Sequence, residues 1–509
     1  MLSSIIRYDF RILVKANSDV LKSKSSPNFR IHRSLRFSST SANYTTRPSS
    51  TSLSSNCGSG APINLQNSRF FHSNSPTNIS TPASGNNEIL NRPNYSSTLP
   101  EFPPAAGCVE LSNRALISIE GPDATKLLNG CFTNSVVDNA VAENNYKSSI
   151  FGTFLNSKGK VVCESYLYSY KKDMDATQDV SYFIECDVNV VSDLLKNLKR
   201  FTLRAKVKLS QVSSDNYKLW FLWNDLQFDP EVAPSDSFLF RLLSESAQTT
   251  AITLDARAPY FGTRVILPAS VSSPLDVLAA SNSTVDITEF GTSPLVNVLS
   301  YNLRRVLFGI PEGLVDIPLG KRISQEVCTD YMGGINYEKG CYVGQELTIR
   351  TFHNGVVRKR IVPVALYAAD ITNPNDAPQG LFYDTQDSIS REIDTLSCLP
   401  GLNIINLTEL QDGLDPSKSK STVVDNNRFT TSPSPFGASA KPVSRRKSGP
   451  KSVGNLATVI GNVGLALVRL DEFGDPDVEY AVEVENPGDG TIRYVKVRGF
   501  IPEWWPEEE

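Results

Sequence analysis

The octapeptide Lys339-Gly340-Cys341-Tyr342-Val343-Gly344-Gln345-Glu346 sets one thiol between two glycines, with a cation before it and an amide and a carboxylate after it. A lysine two residues from a cysteine can stabilise its thiolate, and glycines let backbone approach a ligand or take turn angles closed to other residues. As a thiolate, Cys341 is suited to ligating iron, transferring sulfur or sensing redox state, with Lys339 as its electrostatic partner. The competing reading is a small buried apolar residue, a part free cysteines often play. Gln345 and Glu346 offer an amide and an acceptor at the edge of the loop, suited to orienting Arg350 or a partner's backbone, or else form a plain strand-face pair.

A single cysteine cannot hold a cluster, because iron-sulfur centres typically take four thiolates. The eight cysteines (57, 108, 131, 163, 186, 328, 341 and 398) are dispersed with no CxxC, which argues against a disulfide scaffold or a self-contained cluster. Only His32, His72 and His353 supply imidazole, so a zinc site or a His-driven triad drops out. Any metal at Cys341 is therefore one shared with a cluster carried by a partner. A second set of candidates is basic: in 201–209 the apolar Phe201, Leu203, Ala205, Val207 and Leu209 alternate with Thr202, Arg204, Lys206 and Lys208. That pattern predicts a strand whose second face attracts a polyanion, or is simply solvated.

The motif KGCYVGQE, continued by Leu347-Thr348-Ile349-Arg350-Thr351 and by Gly355-Val356-Val357-Arg358-Lys359-Arg360, resembles the signature of the folate-binding YgfZ-type proteins. Mitochondrial members of that family are iron-sulfur cluster assembly factors, and the family is similar to the aminomethyltransferase of glycine cleavage. The likeness runs from about Arg114 to Arg360 and resumes from about Gly454 to Arg469, including Tyr301 to Gly313 with Arg304 and Arg305. It implies a GcvT/YgfZ-like α+β fold: two ferredoxin-like subdomains and a small C-terminal β-barrel around a central hollow. It also implies that Cys341 is the functional thiol, that tetrahydrofolate is a possible cofactor, and that A-type iron-sulfur scaffold proteins and [4Fe-4S] client enzymes are the partners. For the folate, the candidates are Arg204, Lys206, Glu326 and Arg305.

Departures from the pattern separate the branches of the family. After the hairpin glycine the aminomethyltransferases carry a pair of aspartates, one of them catalytic, where this chain has Cys163-Glu164. Thr133-Asn134-Ser135 ends in Ser where an aspartate commonly stands. Without a placed aspartate, general acid-base help for methylene transfer is in doubt, so an assembly factor is expected ahead of a folate-dependent one-carbon transferase. Around Glu326 and Asp330 the family usually shows a proline two residues before the glutamate and an asparagine two after; here those places hold Ser324 and Cys328.

The elements that must position these residues follow from periodicity. Arg114 to Ile119 alternates as a strand, Gly121-Pro122-Asp123 breaks it, and Asp123 is placed to cap a helix carrying Leu127, Leu128 and Cys131 inward. Phe151 to Leu155 and Lys160 to Tyr168 flank the turn Asn156-Ser157-Lys158-Gly159 as a hairpin. Ser181 to Cys186 is a strand, and Val190, Val191, Leu194, Leu195 and Leu198 form one helical stripe. Tyr217 to Trp223 and Ile252 to Leu267 contribute strands, and Pro294 to Phe308 a helix. Ile361 to Leu366 opens the barrel, with Gly461 to Arg469 and Tyr480 to Glu485 as its next strand pair.

Composition sets the boundaries. Residues 1–87 carry ten Lys and Arg against Asp9 and Asp19, a net of +8 in a chain whose total is −4, so the remainder holds −12. An Arg- and Ser-rich start poor in acids fits a mitochondrial presequence over 1–75, followed by a linker at 76–105. The GcvT/YgfZ-like region is expected over 106–357 and the barrel over 358–509, with a low-complexity insertion at about 368–452. The address implied is the mitochondrial matrix. The near-balanced total suggests no nucleic-acid partner, and no run of about 18 apolar residues suggests a membrane span.

Overall fold

The computed structural model describes residues 100, 103–136, 149–170, 181–225, 238–281, 295–370, 377–387, 389–390, 400–409, 452–473, 475, 478–485 and 490–507, with the backbone of 6–8. Most of the proposed linker, nearly all of the proposed presequence, Cys57, Cys398 and the Ser/Pro/Lys-rich stretch 415–451 lie outside the described residues. Within the presequence stretch, β1 (Ile6–Tyr8) runs parallel to Phe500–Pro502.

The first α+β unit contains β3 (Arg114–Glu120), α1 (Ala124–Cys131), β4 (Ser149–Leu155), β5 (Val161–Tyr170), β6 (Ser181–Asp187), α2 (Val191–Lys199) and β7 (Lys208–Gln211). Its five strands are antiparallel in the order β4-β5-β6-β3-β7. Leu127, Leu128 and Cys131 of α1 and Leu194 and Leu198 of α2 cover one face, as their spacing requires. Asp123 does not cap α1: its Oδ2 instead accepts the backbone N–H of Lys206 at 2.7 Å.

The basic strand expected over 201–209 is shorter than its alternation suggests. Only Lys208–Gln211 pairs with β3; the residues before it close turns, with Ala205 N–H donating to Thr202 O and Val207 N–H to Ala205 O. Ala205, Val207 and Leu209 pack inward, whereas Phe201 and Leu203 are exposed. The turn lies across Gly121, whose φ of 120° and whose lack of a side chain admit the Lys206 carbonyl; a Cβ there would sit 2.3 Å from that oxygen.

The second unit has β2 (Ala106–Glu110), β8 (Tyr217–Asn224), β9 (Ala251–Leu254) and β10 (Thr263–Pro268) in the order β2-β8-β10-β9, with α3 (Phe238–Glu245), α4 (Pro274–Ala280) and α5 (Val298–Leu307). Both units are ferredoxin-like, antiparallel sheets with helices packed against them. A buried ionic network joins them. Arg114 of β3 holds Glu164 of β5 and Glu185 of β6, Arg264 of β10 holds Glu185, Asp255 and Glu312, and Arg257 holds Asp255 and Glu312. The Tyr301 hydroxyl adds a hydrogen bond to Glu312 at 2.6 Å. Burial alone would raise the Asp255 and Glu312 carboxyls, but the arginines hold both well below the usual carboxylate range.

The third part is a barrel. Beyond α6 (Gly313–Asp316) and α7 (Gln345–His353) come β11 (Lys359–Ala368), β12 (Asn403–Asn406), β13 (Ser452–Ile460), β14 (Val463–Arg469), α8 (Leu470–Phe473), β15 (Tyr480–Glu485) and β16 (Ile492–Pro502). The order β16-β11-β14-β13-β12-β15 closes by pairing of β15 with β16, which removes free edges from these six strands. Two expectations change here. β14 pairs with β11 and β13 and not with β15. Asn403–Asn406, inside the stretch set apart as an insertion, is a barrel strand between β13 and β15, because Ile404 and Ile405 give it a buried face.

Candidate functional site

The segment before α7 is built to hold a loop still. Asn336 Oδ1 accepts the N–H groups of Glu338 and Lys339 at 2.9 Å each, an Asx turn that starts the loop. The Lys339 ammonium donates to three backbone carbonyls, those of Asn129, Phe132 and Asn134, at 2.7, 2.8 and 2.7 Å. These are orphan carbonyls at and just beyond the C-terminus of α1, where a cation also meets the helix dipole favourably. Val343 N–H donates to Gly130 O, and Asn336 N–H to Thr133 O. Tyr342 turns inward and is buried.

Gly344 adopts φ 79° as the residue before α7, and a Cβ on it would meet Asn156 O at 2.6 Å and Gly159 Cα at 3.0 Å. Gly159, at the hairpin turn, has φ 73° and would in turn clash with Leu347 at 2.6 Å. The two glycines thus let the loop and the β4–β5 hairpin pack backbone to backbone. Gly340 has open space around it, with nothing within 4 Å of a Cβ. Between these anchors Cys341 is exposed. The other described cysteines are buried; burial pushes the Cys131 thiol up to about 11 and the Cys186 and Cys328 thiols up to about 12.

The structure thus assigns Lys339 to loop anchoring through three carbonyls. Gln345 and Glu346 lie in the first turn of α7, half-buried and exposed respectively, and not on a strand face. Glu326 Oε2 accepts Ile323 N–H at 2.9 Å and so closes its own turn. Arg305 is buried, donating to Asn302, Ile310 O, Asp316 and Thr458, which ties α5 to the barrel strand β13. Arg204 and Lys206 are exposed on the turn before β7.

A cavity of about 440 Å³ has Phe151, Tyr166 and Tyr331 among its walls, with Asn134, Ser149 and Thr253 as polar members. Arg204, Lys206, Glu326 and Arg305 are not among its lining residues. Its polar groups are already paired: the Asn134 amide donates to Phe151 O and Gly333 O, the Ser149 hydroxyl to Thr253, and the Tyr166 hydroxyl to Asp255. Tyr331 is fixed by the Arg360 guanidinium 3.7 Å from its ring centroid, itself held bidentately by Asp330. Glu164, at the place of the transferases' aspartate pair, is buried away from solvent. It accepts from Arg114 and from Gly313 N–H, and burial raises its carboxyl. The cavity residues come from five separate segments without a shared motif, so the sequence carries no signal for them.

Cys328 shows what one departure from the family pattern means. Its φ of 59° lies in the left-handed region that asparagine tolerates better than cysteine, and its thiol donates to Ile361 O at 3.5 Å.

Two α+β sheets joined by a buried ionic seam, a closed barrel and, among the described residues, one presented thiol define a multi-part protein that exposes Cys341 on an anchored loop. Residues 358–507 match the family described as the CAF17 C-terminal beta-barrel domain. The chain is 33% identical over 453 residues to the iron-sulfur cluster assembly factor IBA57 homolog, mitochondrial, of Yarrowia lipolytica, covering 81% of this chain and 89% of that protein. It is also 33% identical over 439 residues to the protein of the same name from Aspergillus fumigatus, covering 80% and 84%. The chain belongs to the IBA57 family of mitochondrial iron-sulfur cluster assembly factors. Among solved structures, the glycine cleavage system aminomethyltransferase T of Bartonella henselae aligns with a TM-score of 0.44 at 11% identity, over 78% of this chain and 86% of that one.

Proposed function

We propose that this protein works in the mitochondrial matrix as a maturation factor for [4Fe-4S] proteins, and that Cys341 is its working thiol, contributing a transient ligand to a cluster carried by an A-type scaffold partner. The observation that supports this reading most is the contrast in exposure: Cys341 is open to solvent on a loop fixed by Lys339, Val343 and Gly344, while the other five described cysteines are buried. A soft, presented sulfur with no further metal-ligating group of three or more His, Cys, Asp or Glu among the described residues suits sharing a cluster with a partner. Gln345 and Glu346, four and five residues after the thiol in the first turn of α7, would meet that partner's backbone.

The aromatic walls of the cavity suit a flat heteroaromatic ring, so Phe151, Tyr166 and Tyr331 would hold a tetrahydrofolate. No carboxylate or imidazole is among the lining residues, and Glu164 is engaged by Arg114, which favours binding over methylene transfer. The protein, mixed with an A-type scaffold, iron, sulfide and thiol, should develop visible cluster absorption on a heteromeric complex, and Cys341→Ser should leave that complex colourless. Equal colour in both would sink the thiol's role. Calorimetry should show tetrahydrofolate binding weakened in Tyr331→Leu; turnover of an aminomethyl donor would instead favour a transferase.

A further inference from the structure

The turn between α2 and β7 carries an arrangement that the cluster chemistry does not use. Leu203 is 89% exposed, the most open of the large hydrophobic side chains among the described residues, and Phe201 beside it is 41% exposed. Around them Lys199, Arg200, Arg204, Lys206 and Lys208 are all exposed, and no ion pair engages any of the five among the described residues. From residue 194 to 214 the sequence has six cations and no acid, although the chain beyond residue 87 holds a net of −12. This face is thus a basic exception on an acidic body.

The turn is also preformed. Phe201 N–H donates to Leu198 O, Thr202 Oγ1 to Lys199 O, Ala205 N–H to Thr202 O and Lys206 N–H to Asp123 Oδ2, while Ala205 and Val207 anchor it in the core. Such rigidity keeps Leu203 in water at a cost that collapse against the sheet would relieve. An apolar tip between exposed cations on both sides in the chain, with Asp123 and Glu120 the acids at its base, has the layout of a surface that rests at the headgroup boundary, the tip among acyl chains and the cations among phosphates. A nucleic acid would use the cations but leave Leu203 in water. A protein partner would need several hundred Å² of complementary surface, which two protruding side chains do not provide.

We infer that the turn Lys199–Lys208 docks the protein on an anionic phospholipid membrane, as a peripheral contact that orients the acidic remainder away from the bilayer. The cations supply attraction that salt screens, and Leu203 and Phe201 supply apolar insertion.

The full chain is tested by co-sedimentation with phosphatidylcholine vesicles, with and without phosphatidylglycerol, and by the tryptophan emission of Leu203→Trp against the same chain without the substitution. Because the basic N-terminal stretch is present in every variant, comparison among variants isolates the turn. The emission of the added tryptophan should move to shorter wavelength with anionic vesicles and not with neutral ones. Leu203→Asp and the pair Arg204→Glu/Lys206→Glu should each bind anionic vesicles roughly tenfold more weakly, with unchanged melting temperature. Binding by both variants equal to wild type, a shift of equal size with neutral vesicles, or no shift with either would overturn the assignment. A shift produced by a soluble acidic protein and not by vesicles would overturn it in favour of a protein partner.

Discussion

The ammonium of Lys339 donates to the carbonyl oxygen of Asn134 at 2.7 Å, while the Asn134 side chain lines the cavity and donates to Phe151 O and Gly333 O. One short segment after α1 therefore supports the thiol loop on one side and the cavity wall on the other.

Lys339→Met keeps the stem but removes three charge-assisted hydrogen bonds at the end of α1. It should lower stability by roughly 2 kcal/mol and release the loop. Thermal unfolding reads the first effect, and faster proteolysis between residues 337 and 344 reads the second. A variant as stable and as resistant as wild type would show that the carbonyl contacts do not hold the loop.

The two glycines of the motif should behave oppositely. Gly344→Ala forces a side chain into a left-handed backbone and against Asn156 O, and should cost roughly 2 kcal/mol or more. Gly340→Ala meets nothing and should leave the melting temperature within a degree or so of wild type. Equal losses at both positions would contradict the packing of Gly344 on Gly159.

Brief treatment of the native protein with iodoacetamide, followed by peptide mass analysis, should label Cys341 and spare Cys108, Cys131, Cys163, Cys186 and Cys328 until denaturant is added. Burial keeps those five thiols protonated and out of reach. Labelling of Cys131 or Cys328 at the rate of Cys341 would contradict the described packing.

The ionic seam predicts an acid response. Asp255 and Glu312 have folded-state values below their unfolded ones, so the stability they add is fully present above about pH 4 and is lost as pH falls towards the folded values. Glu164, raised by burial, works in the opposite direction, so the test is a difference between proteins. Asp255→Asn should be less stable at neutral pH by about 3–5 kcal/mol, because it takes one buried carboxylate from the two buried cations Arg257 and Arg264 and leaves them to Glu312 and Glu185, and its melting temperature should fall less steeply on acidification. An unchanged slope would remove Asp255 from the acid response.

Much of the fold was legible because each α+β element carries its own signal: the stripe of Leu194 and Leu198, the alternation of β3, and Gly159 at a hairpin turn. The exposure of Cys341 was legible because glycines stand on both sides of it at positions that suit an open loop. What was not legible depends on contacts far apart in the chain. Lys339 reads as a partner for the thiol two residues away, yet its ammonium finds carbonyls some two hundred positions earlier. Arg305 reads as an anion-binding cation but is consumed by Asp316 and Thr458, and Phe201 and Leu203 keep the period of a strand whose pairing begins only at Lys208. Leu396 to Leu410 has enough Leu and Ile to pack locally, but Ile404 and Ile405 stand side by side among them without a strand's alternation, so nothing there announces a barrel strand.

If cluster maturation runs through the sulfur of Cys341, replacing that atom by oxygen in the living organelle stops it. Cells whose only copy carries Cys341→Ser should hold normal amounts of the folded protein, lose mitochondrial [4Fe-4S] enzyme activities and keep their [2Fe-2S] proteins. Full [4Fe-4S] enzyme activity in those cells would contradict it and leave the exposed thiol without a role in cluster maturation.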